Sequence, residues 1–265
     1  MSTNNLNYEN GKIAFDDAGV GPLVVCIPSM GDVRGEYRFL IPQLIEAGYR
    51  VVNMDVRGLG ESSVDWDDYT VAGVGADILA LIRDLAAGPA ILVGTSMAAG
   101  AAVWAAAEAP ELISGMVLVG AFVRGEANPF MGALFSILFT RPWGASMWVK
   151  YFSTLFPTHK PDDFAEYTSA LKANLNEPGR LETLLKMIQA SKRASEERIP
   201  QVEKPVLVLM GSKDPDFKEP EAEAKWVAEN LKGTYTMIAG AGHYPHAEMP
   251  EITGPLMLDF MQSLS

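Results

Sequence analysis

Short apolar runs alternate with helix-forming segments over the first 120 residues of this chain. The runs lie at residues 23–27, 51–54, 90–93 and 115–119. A short apolar run bounded by turn residues is typical of a strand buried on both faces. The segments between the runs have helical spacing and end at glycine or proline, which terminate helices. This alternation predicts an α/β fold in which helices cover both faces of a mostly parallel sheet.

The alternation stops at residue 122, and the segment that follows contains no convincing buried strand. That segment holds helix-like pieces separated by prolines, and its first half is rich in large apolar side chains. Strand and helix signals then return, at residues 206–210, 219–231, 234–238 and 251–264. We therefore expect residues 1–121 and 201–265 to form one core domain. Residues 122–200 are predicted to form an all-helical insert after the sixth strand.

The chain is acidic, since 21 Lys and Arg oppose 33 Asp and Glu for a formal net charge of −12. Phosphate backbones and anionic membrane surfaces repel such a chain, so neither nucleic acid nor a membrane is expected as a partner. No apolar run reaches the roughly 18–20 residues that span a bilayer, and the polar start shows no signal peptide. The single cysteine, Cys26, lies in an apolar run and is interpreted as a packing residue. These features favour a cytoplasmic monomer or homodimer.

A serine stands where a predicted strand turns into a predicted helix, in the sequence GTSMA at residues 94–98. Such a turn projects the serine hydroxyl above the carboxyl edge of the sheet, and it requires small neighbours because strand and helix nearly touch there. The sequence supplies Gly94 before the serine and Ala98 after it. Ser96 is therefore a candidate nucleophile on a nucleophile elbow.

A serine hydroxyl needs a base that takes its proton, and the base needs a partner that orients it. His243 lies in the loop after the last predicted strand, and Asp214 directly follows the strand before it. Both loops fall at the same sheet edge as Ser96, where open α/β sheets bind their ligands. Asp216 is the alternative to Asp214, and His246 is the only nearby substitute for His243.

These motifs resemble the α/β-hydrolase superfamily, and the resemblance covers essentially the whole chain. Residues 55–63, DVRGLGESS, look like the Asp-x-Arg-Gly-x-Gly-x-Ser loop of that family. The resemblance implies that Ser96 is the nucleophile, Asp214 the orienting acid and His243 the general base of a catalytic triad. It also implies that the insert, residues 122–200, is a cap or lid over the active site.

The loop after the first buried strand departs from the pattern of the family. Many members have His-Gly there, whereas this chain has PSMGD at residues 28–32. By position, the backbone N–H groups of Met30 and Met97 are the expected donors of an oxyanion hole, which acts through the backbone. Ser29 is the alternative source of the first donor.

Other polar residues near these motifs are interpreted as structural. Asp55 and Arg57 are expected to form a pair that braces their loop, and His159 is expected to lie at the surface. Asp32 is expected to be a solvated loop acid, with a position in the pocket as the alternative. The candidate residues of the pocket wall are Ser29, Phe122, Phe130, Phe135, Trp143 and Trp148. The sequence has no Cys or His grouping with metal-ligand spacing and no glycine-rich phosphate loop, so we expect neither a metal nor a cofactor.

The predicted activity is hydrolysis of a small, largely apolar ester or related acyl compound through an acyl-enzyme. The serine argues against haloalkane dehalogenases and epoxide hydrolases, which resemble this fold but use a carboxylate nucleophile. Carbon–carbon bond hydrolases, lactonases and perhydrolases use the same triad and stay open. The alternative from another class is a hydrolase-like receptor that binds its ligand with little turnover.

Overall fold

A computed structural model describes residues 3–125 and 129–264, apart from the side chains of residues 129–131. It contains an eight-stranded sheet formed by β1 (Asn4–Tyr8), β2 (Gly11–Ala18), β3 (Leu23–Ile27), β4 (Arg50–Met54), β5 (Ala90–Thr95), β6 (Ile113–Val119), β7 (Val206–Gly211) and β8 (Thr234–Ile238). The strand order is β1-β2-β4-β3-β5-β6-β7-β8. The pairings β1–β2 and β2–β4 are antiparallel, and the others are parallel. The predicted mostly parallel sheet is confirmed.

Strand β1 was not predicted from the sequence. Its five residues, NNLNY, bury only the side chain of Leu6. An edge strand with one buried residue has neither an apolar run nor a clear alternation, so its sequence resembles that of a loop.

Helices cover both faces of the sheet. They are α1 (Ile41–Glu46), α2 (Val71–Leu85), α3 (Met97–Glu108), α9 (Pro220–Asn230), α10 (Pro245–Glu248) and α11 (Pro250–Gln262). Because successive side chains of a strand point to opposite faces, Val24 and Cys26 pack in the cluster that contains α1 and α11. Val25 and Ile27 pack on the other face, in the cluster that contains α2 and α3.

Between β3 and β4, the helical spacing of residues 37–47 predicts one helix, but this segment is divided in the structure. A 3₁₀ turn covers Arg34–Tyr37, and α1 begins only at Ile41. Tyr37 is fully buried, and its hydroxyl donates to the carbonyl of Ile27 at 2.8 Å. This hydrogen bond holds the side chain of Tyr37 against the last residue of β3. The chain therefore forms a separate turn here before α1 begins.

Between β6 and β7 the described residues form helices, 3₁₀ turns and loops, with no strand. The helices are α4 (Pro129–Leu138), α5 (Gly144–Phe152), α6 (Phe164–Asn176), α7 (Arg180–Gln189) and α8 (Arg193–Glu196). In the described part of the chain, none of the helices combines the length and the apolarity needed to cross a membrane.

Asp55 and Arg57 are structural, but they do not pair with each other as expected. The guanidinium of Arg57 donates two hydrogen bonds of 2.7 Å to Asp77 on α2, and both side chains are buried. Asp55 instead accepts from the backbone of Arg34 at 2.8 Å and forms an ion pair with its guanidinium at 3.0 Å. Arg57 therefore ties its loop to α2, while Asp55 ties it to the segment after β3.

Removing one partner of the Arg57–Asp77 pair should be costly, because it leaves a buried charge without compensation. We expect Asp77→Ala to lower the free energy of unfolding by about 3–5 kcal/mol, measured by urea denaturation. The matched control is Glu223→Ala, which breaks the more exposed pair with Arg124 and should cost no more than about 1 kcal/mol. Equal effects of the two substitutions would contradict a special role for the buried pair.

Candidate active site

The register of the parallel strands brings three loops to one edge of the sheet. Thr95 lies opposite Val119, which in turn lies opposite Leu209. Gly211 lies opposite Ile238. The segments that leave β5, β7 and β8 are therefore neighbours at the carboxyl edge, and they carry the predicted nucleophile, acid and base.

Ser96 occupies a strained turn between β5 and α3. Its φ of 58° and ψ of −121° are uncommon for a residue with a side chain. Its N–H donates to the carbonyl of Val119 at 2.8 Å, and its carbonyl accepts from the N–H of Phe122 at 3.1 Å. A Cβ atom on Gly94 would lie 2.7 Å from the carbonyl oxygen of Ala98, so strand and helix touch here. Packing and hydrogen bonds thus hold the serine in a conformation that it would not adopt by itself.

His243 and Asp214 form a buried hydrogen-bonded pair. The imidazole Nδ1 lies 2.7 Å from Oδ2 of Asp214, and the two residues are 1% and 2% exposed. Because Nδ1 faces the carboxylate, Nε2 is the nitrogen left for proton transfer. A Cβ atom on Gly120 would lie 2.9 Å from the imidazole ring, so this position after β6 must stay small.

Asp216 provides a second carboxylate beside the same imidazole. Its Oδ2 lies 3.9 Å from Nδ1 of His243, and its Oδ1 accepts a hydrogen bond of 2.5 Å from the hydroxyl of Tyr151 on α5. Burial opposes a charged imidazole, but the carboxylates of Asp214 and Asp216 outweigh it and raise the pKa of His243 to about 9. Asp214 is the direct partner, and Asp216 adds negative charge at longer range.

Aromatic rings surround the histidine. Phe122 stacks on Phe217 with ring centroids 4.4 Å apart, and the two rings lie 6.0 and 6.3 Å from His243. Tyr244 packs edge-on against the imidazole at 5.2 Å. Phe122 was predicted from the sequence as a residue of the pocket wall, whereas Phe217 and Tyr244 were not. Phe217 and Tyr244 stand in the loops of the predicted acid and base, which is the signal that could have identified them.

The loop after β3 forms a tight turn. The N–H of Asp32 donates to the carbonyl of Ser29 at 3.3 Å, and Gly31 has a φ of +74°, as the third residue of a type II turn requires. The N–H of Ser29 donates to Oε2 of Glu36 at 2.7 Å. Within residues 3–125 and 129–264, no protein oxygen accepts from the N–H of Met30.

Asp32 is buried, and the expectation of a solvated loop acid was wrong. The residue is 1% exposed, and the hydroxyl of Tyr167 on α6 donates to its Oδ1. Burial raises the pKa of Asp32, and the charge of Glu36 adds to the effect. His159, in contrast, is exposed as predicted.

The remaining candidates for the pocket wall lie at different depths. Trp148 is buried, and its indole N–H donates to the carbonyl of Gly31 at 2.8 Å. Phe135 is half-buried and stacks on Phe139. Trp143 is 51% exposed, so it lies at the surface of the insert. The side chain of Phe130 lies outside the described part of the structure.

Asp214, Asp216 and His243 are also the one described group that offers three metal-ligand atoms within 4.8 Å of one another. Two of these atoms already face each other in the His243–Asp214 hydrogen bond. The second oxygen of Asp216 is bound by Tyr151. Protein hydrogen bonds therefore account for the arrangement, as one imidazole–carboxylate pair and one tyrosine–carboxylate pair.

Comparison with known proteins assigns the family. A sequence model described as the alpha/beta hydrolase fold matches residues 22–250. The chain belongs to the α/β-hydrolase fold family. The hydrolase is 30% identical to the Mycobacterium tuberculosis protein named as a non-heme bromoperoxidase, BpoC, over 96% of this chain and 98% of that protein.

Other relatives differ in the activity that their names state. The hydrolase is 24% identical to a protein of Oryza sativa named as an esterase, with 91% of each chain covered. A bromoperoxidase structure from Bacillus anthracis superimposes with a TM-score of 0.85 at 21% identity, covering 98% of this chain and all of that one. The structural match shows the shared fold, and the names span more than one reaction.

The contribution of Asp216 to the pKa of His243 in this hydrolase can be tested by titrating His243 with NMR. Asp216→Asn should lower the pKa of His243 from about 9 by about one pH unit, because a negative charge that stabilises the imidazolium is lost. Asp162→Asn, which removes an exposed carboxylate of the insert, is the control and should leave that pKa unchanged. An unaltered titration in Asp216→Asn would show that Asp216 does not contribute to the pKa of His243.

Proposed function

We propose that this α/β hydrolase cleaves small, largely apolar esters or related acyl compounds through a triad of Ser96, His243 and Asp214. The observation that carries the proposal is the strained serine at the same sheet edge as the buried His243–Asp214 pair. A serine on a strained elbow and a carboxylate-bound imidazole are the two halves of a serine hydrolase site. Acyl transfer is the chemistry that uses both together.

In the proposed reaction Ser96 Oγ attacks the acyl carbon while Nε2 of His243 accepts the hydroxyl proton. Asp214 stabilises the imidazolium that forms. The tetrahedral intermediate collapses, the imidazolium protonates the leaving alcohol, and the acyl group stays on Ser96. Water then attacks the acyl-enzyme, again losing its proton to His243, and the acid leaves as Ser96 recovers its hydroxyl.

Two backbone N–H groups, those of Met30 and Met97, are assigned to the developing oxyanion. Ile27 lies opposite Gly94 in the sheet, so the turn after β3 and the elbow after β5 are neighbours. The N–H of Ser29 is already bound by Glu36, which favours Met30 over Ser29 as the first donor. Hydrogen-bond donors fixed before the reaction cost no reorganisation when charge develops.

The substrate class is inferred from the walls of the site. Phe122 and Phe217 form a stacked apolar surface beside His243. Residues 122–200 are assigned as a cap over the core of residues 1–121 and 201–265, because Tyr151 reaches the acid loop from α5. An apolar wall with few polar groups binds apolar acyl chains better than charged ones.

The test is hydrolysis of p-nitrophenyl esters from acetate to dodecanoate. Wild type should show a maximum at one chain length, and Ser96→Ala should lose about 10³-fold or more in kcat. Because the neutral imidazole is the base, kcat/KM should increase with pH up to about 9. Ser263→Ala, at the exposed end of the chain, is the matched control and should behave as wild type.

Near-blank rates for wild type and Ser96→Ala alike would contradict the esterase proposal. A ligand that then raised the melting temperature of the protein without being hydrolysed would favour a receptor.

The relative BpoC is named as a non-heme bromoperoxidase. From this name we infer that hydrogen peroxide is a second acceptor for the acyl group on Ser96, so that perhydrolysis is a second activity. Acetic acid would acylate Ser96 with loss of water, and hydrogen peroxide would then take up the acetyl group, giving peracetic acid and free Ser96. The peracid would oxidise bromide to hypobromous acid and return to acetate. The measurement is bromination of monochlorodimedone with peroxide and bromide. The rate should depend on added acetate and disappear in Ser96→Ala. Bromination that survives in Ser96→Ala would refute this route.

A further inference from the structure

Behind the turn after β3 lies a buried polar cluster that the proposed mechanism does not use. Its members are Glu36, His246 and Asp32, each 1% exposed. Burial of ionisable groups costs folding free energy unless they are bound. Their position beside the turn therefore indicates a functional role.

Both oxygens of the Glu36 carboxylate have a close neighbour, and one of them accepts a hydrogen bond. Oε2 accepts the N–H of Ser29 at 2.7 Å. Oε1 lies 3.1 Å from Nε2 of His246, in direct contact with the ring although the two atoms are not aligned as a hydrogen bond. His246 in turn stacks on Tyr37 with ring centroids 4.9 Å apart. The carboxylate is therefore a fixed part of the core and not a mobile surface group.

The geometry of the peptide transmits this fixation to the proposed oxyanion donor. In a planar trans peptide the C=O of Ser29 and the N–H of Met30 point in opposite directions. The carbonyl of Ser29 is held by the N–H of Asp32 at 3.3 Å, and the N–H of Ser29 is held by Glu36. With both backbone groups of Ser29 bound, the direction of the Met30 N–H is determined.

The loop of the base also holds the turn. The hydroxyl groups of Tyr244 and Ser29 share a hydrogen bond of 2.5 Å. Tyr244 directly follows His243, and His246, which faces Glu36, follows two residues later. The segment after β8 therefore contacts Ser29 directly through Tyr244 and, through His246, contacts the carboxylate that binds the Ser29 N–H.

We propose that Glu36, supported by His246, is a positioning residue that fixes the Met30 N–H in the oxyanion hole. The inference rests on the proposed function, since it assigns a role within that same site. Glu36 does not touch the substrate and acts through the Ser29–Met30 peptide. Its loss should weaken binding of the transition state more than binding of the substrate.

The experiment compares Glu36→Leu, which removes the acceptor for the Ser29 N–H, with Glu36→Gln, which keeps an acceptor oxygen. Rates are measured on the best p-nitrophenyl ester and are normalised to the fraction of protein that a fluorophosphonate labels at Ser96. We expect Glu36→Leu to lose about 10- to 100-fold in kcat with KM changed less than about threefold. Glu36→Gln should recover most of the loss.

A boronic acid gives a second readout, because its tetrahedral adduct with serine places an oxygen in the oxyanion hole. Its inhibition constant should rise in Glu36→Leu by about the same factor as kcat falls. Glu223→Gln is the matched control, since it neutralises a half-buried carboxylate on α9 that pairs with Arg124, and it should leave both quantities unchanged.

His246→Leu provides an independent variant if Glu36→Leu does not fold. It should reduce kcat in the same direction with KM unchanged, and His159→Leu, at an exposed position, is its control. The proposal would be overturned by an unchanged normalised kcat in both Glu36→Leu and His246→Leu. A KM that rises by the same factor as kcat falls would also overturn it. A wild-type protein whose Ser96 is not labelled and that hydrolyses no ester would instead mean that the proposed function itself has failed.

Discussion

Burial of the central strands on both faces determines where polar chemistry can be placed in this molecule. The interiors of β3, β5, β6 and β7 are apolar on each side, and an unpartnered polar side chain there would cost several kcal/mol. Only the residues beyond the strand ends are free to carry reactive groups. Because neighbouring parallel strands end at one edge, their register alone makes neighbours of the loops that carry Ser96, Asp214 and His243.

The loop after β8 connects the parts of the candidate site. His243 binds the acid loop, and Tyr244 binds the turn after β3. Glu248, at the end of α10, accepts from the N–H of Gly242 at 2.6 Å and from that of Thr158 in the insert at 2.8 Å. One buried carboxylate thus joins the base loop to the insert. A displacement of this loop would change the positions of His243, the turn after β3 and the insert together.

The sequence predicted those features that depend on residues close together in the chain. The strands around Ser96 and Asp214 are short apolar runs bounded by turn residues, so local pattern and burial agree there. The partners of buried charges were not predictable in this way. Arg57 pairs with Asp77, twenty positions away on a different element, and a local reading paired it with Asp55 instead.

The same limit explains why the cluster of Glu36, His246 and Asp32 behind the turn after β3 was not predicted from the sequence. Asp32 stands in a loop of small and polar residues, which is typical of a solvated segment. It is buried only because α6 of the insert, more than 130 positions later, packs Tyr167 against it. His246 was considered solely as a substitute for His243, since its contact with Glu36 depends on how the last loop folds back over the 3₁₀ turn after β3.

The insert contributes hydrogen bonds to the geometry of the candidate site. Trp148 donates to the carbonyl of Gly31 in the turn after β3. Tyr151, one helical turn later, donates to Asp216 beside His243. Both donors are aromatic side chains whose rings pack in the same apolar cluster. A change in that cluster which altered the shape of the pocket would therefore also shift hydrogen bonds at the turn and at the acid loop. The packing of the insert and the positions of the turn and the acid loop are coupled through α5, so a substitution that repacks α5 has to preserve these two hydrogen bonds or replace them.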